Sequence, residues 1–358
     1  MSHATRPLNF TQNYNANSFE EEISFTINKE DFQNYFEKAV QEISKGVKIP
    51  GFRKGKAPKS VILSKYYIDI FNRSIEIAVT NYVERIDNLE PKPISPFIIK
   101  KVTQPESDNT GDIEVTIAYL PKPSVILGDV DNLVVNRPDI RKATEEEVDN
   151  ELRNVWYAYA KKIDRNIKKE DFSKEKIDKE FLEHSGITKD NPDIKSYDDL
   201  RNFIEKYINE TYKINNELEY EKSIVSELIR VCTYVKLDGL VNYEVEQRVE
   251  DYISRLRNLG INAQKYFKDS DIDIESLRTA WRKEIEESIK LELLLQEYVR
   301  QHGIEVPEED IETELNSMDK NLKKRYGFDR DRLRSIAVYR LTNRKAYELL
   351  INKIKSRS

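Results

Sequence analysis

Apolar positions along the chain first recur at every second residue, then at helical spacing, then alternate again, and finally keep helical spacing to the end. Phe19, Ile23, Phe25 and Ile27 stand among polar neighbours with the period of a half-buried strand. A helix follows at once. Asn28 can cap it, Asp31 can reach back from its third position, and Ile27 with Phe32 can form a hydrophobic staple. Phe32, Tyr35, Phe36, Ala39, Val40 and Ile43 then make one apolar stripe. A second helix is predicted over roughly 58–67, with Pro58 near its first turn. A third carries Phe71, Ile75, Ala78, Val79, Tyr82 and Ile86. Strands are predicted near 97–103 and 112–119, and a weaker one near 125–136, punctuated by Pro91, Pro93, Pro96, Pro121 and Pro123.

Beyond about residue 143 the pattern is helical. Thr144 and Glu147 form a capping box ahead of Val148, Leu152, Val155 and Tyr159. Residues 161–176 carry seven lysines and arginines and lack an apolar stripe. Ser196 and Asp199 open a helix reaching about 232, and at about 1.5 Å per residue it spans roughly 50 Å. Val241 to Leu259 mark another, stopped by Gly260. A further one runs from about 274 to Gly303, one starts at Pro307 and ends at Gly327, and the last runs from about 329 to 355. The expected architecture is an α+β N-terminal domain followed by an extended all-α body with long helical arms. Residues 1–16 are polar and read as a flexible tail, 17–122 as the α+β domain, 123–176 as a linker with the first body segment, and 177–358 as the helical body.

The chain has 358 residues, 35% of them charged, with only 10 Gly and 12 Pro, which suits long solvated helices. No apolar run approaches the length of a membrane span, and the first residues lack the apolar core of a signal peptide, so a cytoplasmic protein without a membrane partner is expected. The one cysteine, Cys232, suits a reducing compartment and follows Ile229 and Val231 in a helical pattern, so it is expected to be buried and inert.

Catalytic chemistry is not visible in the sequence. The spacing from Gly51 to Gly55-Lys56 is one residue short of a phosphate-binding loop, and Ala57 lacks the metal-binding hydroxyl. His3, His184 and His302 are far apart and none has a partner at metal-ligand spacing. His302, next to Gly303 at a helix end, reads as a cation on the helix dipole. No nucleophile elbow is present, and the carboxylates interleave with Lys and Arg as on a solvated face. Neither a cofactor nor a metal is expected.

One stretch departs from this. The net charge is −6, yet seven basic residues and no acidic one lie from Lys45 to Lys65. At its centre Gly51 and Gly55 bracket Phe52, Arg53 and Lys54, so the tip can take a tight, exposed shape. An exposed aromatic beside Arg is typical of a binding hot spot. Positive charge on an acidic body implies one oriented docking point for a polyanion.

The stretch Val47-Lys48-Ile49-Pro50-Gly51-Phe52-Arg53-Lys54-Gly55-Lys56-Ala57-Pro58 resembles the ribosome-docking signature of bacterial trigger factors, a Gly-Phe-Arg-x-Gly-Lys-x-Pro loop between two helices. Ile177-Asp178-Lys179-Glu180-Phe181 with Tyr197-Asp198-Asp199-Leu200 is similar to the start of that family's helical body. Gly303 to Ile311, with Tyr326-Gly327, resembles a late arm. The resemblance implies an ATP-independent chaperone that docks at the tunnel exit of the large ribosomal subunit, on ribosomal protein and rRNA, and shields nascent polypeptides. The implied contacts are Gly51, Phe52, Arg53, Lys54, Gly55, Lys56 and Pro58, supported by Lys45, Lys48 and Lys59, and the family allows a weak homodimer. Family members usually insert a glycine-rich prolyl isomerase domain after the first body segment. Here only Gly186 lies between Gly128 and Gly239, so the isomerase head is expected to be absent and no catalytic residue carries over. The alternative is a non-enzymatic helical scaffold or rRNA-linked assembly factor. A periplasmic isomerase is disfavoured by the missing leader and head.

Overall fold

The computed structural model describes residues 9–86, 89–103, 112–270 and 273–356. In chain order the elements are β1 (Phe10–Asn15), β2 (Glu20–Ile27), α1 (Lys29–Gly46), α2 (Lys59–Val83), β3 (Ile98–Thr103), β4 (Ile113–Tyr119), β5 (Ser124–Ile126), α3 (Glu145–Ile163), α4 (Lys179–His184), α5 (Ile187–Asp190) and α6 (Tyr197–Val231). There follow β6 (Thr233–Val235), α7 (Asp238–Asn258), α8 (Ala263–Asp269), α9 (Ile274–His302), α10 (Glu308–Ser317), α11 (Lys320–Arg325) and α12 (Arg330–Lys355). The chain forms an N-terminal α/β region with a small antiparallel sheet and a mostly helical remainder. It divides into two compact units, one of residues 1–126 with 233–293 and one of 127–232 with 294–358. The expected body of 177–358 is therefore not one unit, because residues 233–293 group with the N-terminal region.

In the first unit four antiparallel strands lie in the order β1-β2-β4-β3. Ile23, Phe25 and Ile27 of β2 and Ile113, Val115 and Ile117 of β4 send their side chains into one core with Phe32, Ile75, Ala78 and Val79 of α1 and α2. The Phe25 and Tyr82 rings stack at 3.6 Å. Period-two burial on the strands thus meets the helical stripes on a single face. Asn28 caps α1 by accepting from the Asp31 backbone N–H at 2.9 Å, and the Asp31 carboxylate accepts from the Asn28 side-chain amide at 2.7 Å.

Three expectations for this unit change. Residues 10–15 are not a tail but an edge strand, with Phe10 opposite Phe25 and Asn15 opposite Glu20. Its backbone bonds form on one side only, so a polar sequence suffices. The part of the expected tail before Asn9 lies outside the described residues. The two helices expected after Pro58 are one, α2, with a kink at Tyr66 (φ −128°, ψ 24°). The weak strand near 125–136 shrinks to β5, which pairs with β6.

In the second unit, Val148, Leu152, Trp156 and Ala160 of α3 pack with Leu200 and Ile204 of α6 and with Ile177, Phe181, Leu182 and Ile194 from the segment between them. The Thr144–Glu147 capping box forms as expected. Residues 127–144 are held along α6 by side chains rather than by a sheet. The Tyr220 hydroxyl donates to the Val135 carbonyl at 3.2 Å, and the Asn216 amide donates to the Pro138 carbonyl at 3.0 Å. Ile311, Leu315 and Met318 pack on Leu333 and Ala337 of α12. The helix expected from Pro307 to Gly327 is broken at Met318 into α10 and α11. Cys232 caps the C-terminus of α6 and is half-buried, not enclosed, because the helix ends one residue earlier.

Candidate docking loop

Helices α1 and α2 pack side by side, and the basic stretch is the loop that joins their ends. Its base is apolar. Ile49 is 4% exposed and packs with Ala39 and Val40 of α1 and with Ile62 and Ile70 of α2, with Val47 and Ala57 at the margin. Above this anchor the backbone makes two turns in tandem. The Phe52 N–H donates to the Ile49 carbonyl at 3.1 Å, and the Lys56 N–H donates to the Arg53 carbonyl at 2.9 Å. In each turn glycine holds the third position, Gly51 at φ 86° and Gly55 at φ 73°, where a positive φ is required. Pro50 precedes Gly51 at the position where a fixed φ favours such a turn. Pro58, at φ −59°, then leads into α2 and its carbonyl accepts from the Val61 and Ile62 N–H groups.

This geometry puts Phe52 between the turns and away from its own core, with 40% of its surface exposed. Gly51, Arg53, Lys54, Gly55, Lys56 and Pro58 are exposed, as are Lys45, Lys48 and Lys59. Among the described residues no carboxylate lies within ion-pairing distance of Lys45, Lys48, Arg53, Lys54 or Lys56. Lys59 differs, since its ammonium is paired with Glu37 of α1. Arg73, further along α2, is likewise bound by Glu42 at 2.7 Å and Glu76 at 2.9 Å, which raise its pKa. Positive charge is thus neutralised where the two helices face each other and left bare at the tip. The sequence reading missed Glu37 as the partner of Lys59 and Ile49 as the anchor of the loop. The 22-residue separation of Glu37 and Lys59 becomes a contact only when the helices lie side by side.

The bacterial trigger factor N-terminal model matches residues 9–155, which include this loop, and the trigger factor C-terminal model matches 196–352. The chain belongs to the bacterial trigger factor family. Its function is that of a ribosome-associated chaperone. A trigger factor of Syntrophomonas wolfei is 22% identical, with 87% of each chain covered. One of Staphylococcus saprophyticus is 24% identical over 83% of this chain and 85% of its own. A solved trigger factor chaperone structure, described for promiscuous substrate recognition in folding and assembly, shares the fold at TM-score 0.54 and 16% identity, covering 96% of this chain and all of that one.

Residues 156–195 lie between the two matched segments. They finish α3, make two short turns of 3-10 helix at 169–171 and 174–176, and form α4 and α5. Among the described residues this segment contains no strand. Its large side chains cover one core, with the Trp156 ring 5.7 Å from Phe172 and the Tyr159 ring edge-on to Phe181 at 5.1 Å.

Proposed function

We propose that the α1–α2 loop is the ribosome-docking point of this chain, seated at the tunnel exit of the large subunit. The exposed Phe52 ring, set between two glycine turns and ringed by cations without carboxylate partners, carries this reading. Lys45, Lys48, Arg53, Lys54 and Lys56 attract rRNA phosphate over a distance set by salt. Phe52 adds a short-range apolar anchor on ribosomal protein, with Gly51, Gly55 and Pro58 fixing its aim. Lys59 acts mainly through its pair with Glu37 and contributes less.

Docked in this way, the chain shields unfolded nascent polypeptides in the cytoplasm. It needs no nucleotide or metal, and release follows from weak contacts given up as the client buries its own apolar surface. The chain carries no prolyl isomerase activity. The decisive experiment is ribosome cosedimentation of the Phe52→Ala, Arg53→Ala, Lys54→Ala triple variant, with circular dichroism as the check on folding. Loss of the ribosome band with full helicity is expected, and unchanged cosedimentation would reject the loop as the docking point. A protein that followed free RNA rather than the large subunit in a gradient would favour an assembly factor instead.

A further inference from the structure

We propose that the tip where α3 ends, residues 161–169, is a second polyanion-binding surface, and that its partner is the phosphate backbone of RNA. The segment reads Lys161-Lys162-Ile163-Asp164-Arg165-Asn166-Ile167-Lys168-Lys169, five cations against one carboxylate. All five cations are exposed. It lies outside both segments matched by the family models and belongs to a different compact unit from the docking loop.

The fold concentrates this charge rather than dispersing it. The Lys161 ammonium sits 5.2 Å from the centre of the Tyr157 ring, and the Lys169 ammonium, arriving from the returning chain, sits 5.7 Å from the same ring. Lys176 adds a third ammonium 5.0 Å from the neighbouring Trp156 ring. The rings' negative faces hold these cations but do not neutralise them. Lys169 is further fixed by donating to the Asn154 side-chain oxygen at 2.8 Å. Glu170, which follows Lys169, is exposed to solvent, and two further acids are turned to the backbone. Asp164 accepts from the Asn166 N–H at 2.9 Å, and Asp171 accepts from the Lys168 N–H at 2.8 Å. Among the described residues Lys161, Lys162, Arg165, Lys168 and Lys169 have no ion-pair partner. Like charges in excess over carboxylates repel, and a line of phosphates relieves that repulsion.

The partner is RNA backbone for two reasons. Trp156 is 4% exposed and Tyr157 is occupied by its two lysines, so no aromatic face is open for stacking bases, and phosphate contacts alone remain. Ile163 is 70% exposed, while Ile167 and Phe172 pack on the core beneath. An anionic lipid surface would need a broader apolar face than one isoleucine. In a ribosome-associated chaperone, the abundant phosphate polymer is rRNA.

The test uses the full chain with Phe52→Ala, Arg53→Ala, Lys54→Ala, Lys45→Gln, Lys48→Gln and Lys56→Gln, which removes the docking loop's ring and its five bare cations and makes the two surfaces separable. The probe is a fluorescein-labelled oligouridine of about 20 nucleotides, longer than a single-strand binding site, read by anisotropy. The loop-silenced protein should bind it at low salt. Adding Lys161→Gln, Lys162→Gln, Arg165→Gln, Lys168→Gln and Lys169→Gln should weaken binding at least about tenfold and flatten the salt dependence by about 0.7 per lost contact. Equal RNA binding with and without the glutamines, at matched helicity, would overturn the proposal. So would tighter binding of the loop-silenced protein to phosphatidylglycerol vesicles than to RNA.

Discussion

Lys236 donates its ammonium to the carboxylate of Glu21, 215 residues earlier in the chain. Glu21 has 3% of its side chain exposed, and its other oxygen accepts from the Gln12 amide at 3.1 Å. Lys236 reaches it from a positive φ of 57°, and its head also lies 5.0 Å from the Tyr14 ring. This pair fixes the start of residues 233–293 to the N-terminal sheet. Lys236→Met removes the cation and leaves the carboxylate buried, which should cost about 3–5 kcal/mol. Amide exchange should accelerate in β2 and in the first turns of α7. Glu21→Gln combined with Lys236→Met should recover much of the loss, because no unpaired charge remains. Equal protection in Lys236→Met and the parent would show that the pair holds nothing.

Close backbone approach makes a second site sensitive. A Cβ on Gly128 would meet the Val231 carbonyl oxygen at 2.1 Å, at the last residue of α6. The Cβ is fixed by its own backbone and the oxygen it meets is backbone, so no rotamer change relieves the clash. Gly128→Ala should destabilise the unit of residues 127–232 and 294–358 by about 1–3 kcal/mol or more. A thermal unfolding curve matching the parent's would contradict this packing.

The proposed docking loop separates into two physical parts that salt can tell apart. Arg53→Ala and Lys54→Ala remove counterion-releasing contacts, so their effect on ribosome affinity should be large at low salt and shrink as salt rises, each lowering the salt slope by about one. Phe52→Ala removes apolar contact, and its fold-loss should be the same at both salt concentrations. At an exposed hot-spot aromatic that loss is on the order of 2 kcal/mol. Titrating labelled protein with ribosomes at two ionic strengths decides it. A salt-dependent Phe52→Ala defect would mean that the ring acts through its charged neighbours.

Helical periodicity made α1, α3, α6, α7, α9 and α12 legible from the sequence, since each buries one stripe on a neighbour. What failed to read was structure supplied by distant partners. β1 is polar because its outer edge faces solvent, so nothing in Phe10–Asn15 alone distinguishes strand from tail. β6 is three residues long and exists through its ladder with β5, more than a hundred positions away. The kink at Tyr66 carries neither Pro nor Gly to signal it. In the candidate site, the glycines and proline announced the turns and the lone aromatic announced an exposed ring. The pairing of Lys59 was hidden, because Glu37 lies outside the basic stretch and meets it only in the folded helix pair.

A titratable cluster in the second unit predicts how stability depends on pH. Asp131 accepts from Lys353 at 2.7 Å and from the Tyr298 hydroxyl at 3.1 Å, and His302 lies 3.4 Å away. The Lys353 hydrogen bond first, then that of Tyr298, hold its carboxyl below the ordinary value of 3.8. Burial pushes the Tyr298 hydroxyl up to about 12, so it remains a donor. A carboxyl depressed in the folded state adds stability at pH values above its unfolded pKa, and that stability fades as pH falls through the folded pKa. Asp131→Asn should therefore lower the unfolding temperature at pH 7 and have little effect once the pH is well below 3.8. A difference that persisted unchanged into acid would place the effect in packing rather than in charge.

The segment where family members usually carry an isomerase leads to a prediction about catalysis. A prolyl isomerase needs an open apolar pocket that holds the proline ring away from water. In residues 156–195 the large apolar side chains other than the exposed Ile163 are already committed to the fold. Trp156, Ile177, Phe181, Leu182 and Ile194 are each no more than 5% exposed and close one core with Leu200 and Ile204. Opening a pocket there would uncover the packing between α3 and α6. Proline-limited refolding of a model protein, which takes tens of seconds or more unaided, should keep its rate when the chain is added at catalytic amounts. In the same samples, higher concentrations should suppress aggregation of the unfolded client, since holding apolar segments requires no catalysis. Substoichiometric acceleration of the slow phase, abolished by a substitution between 156 and 195, would show that this segment hosts an active site.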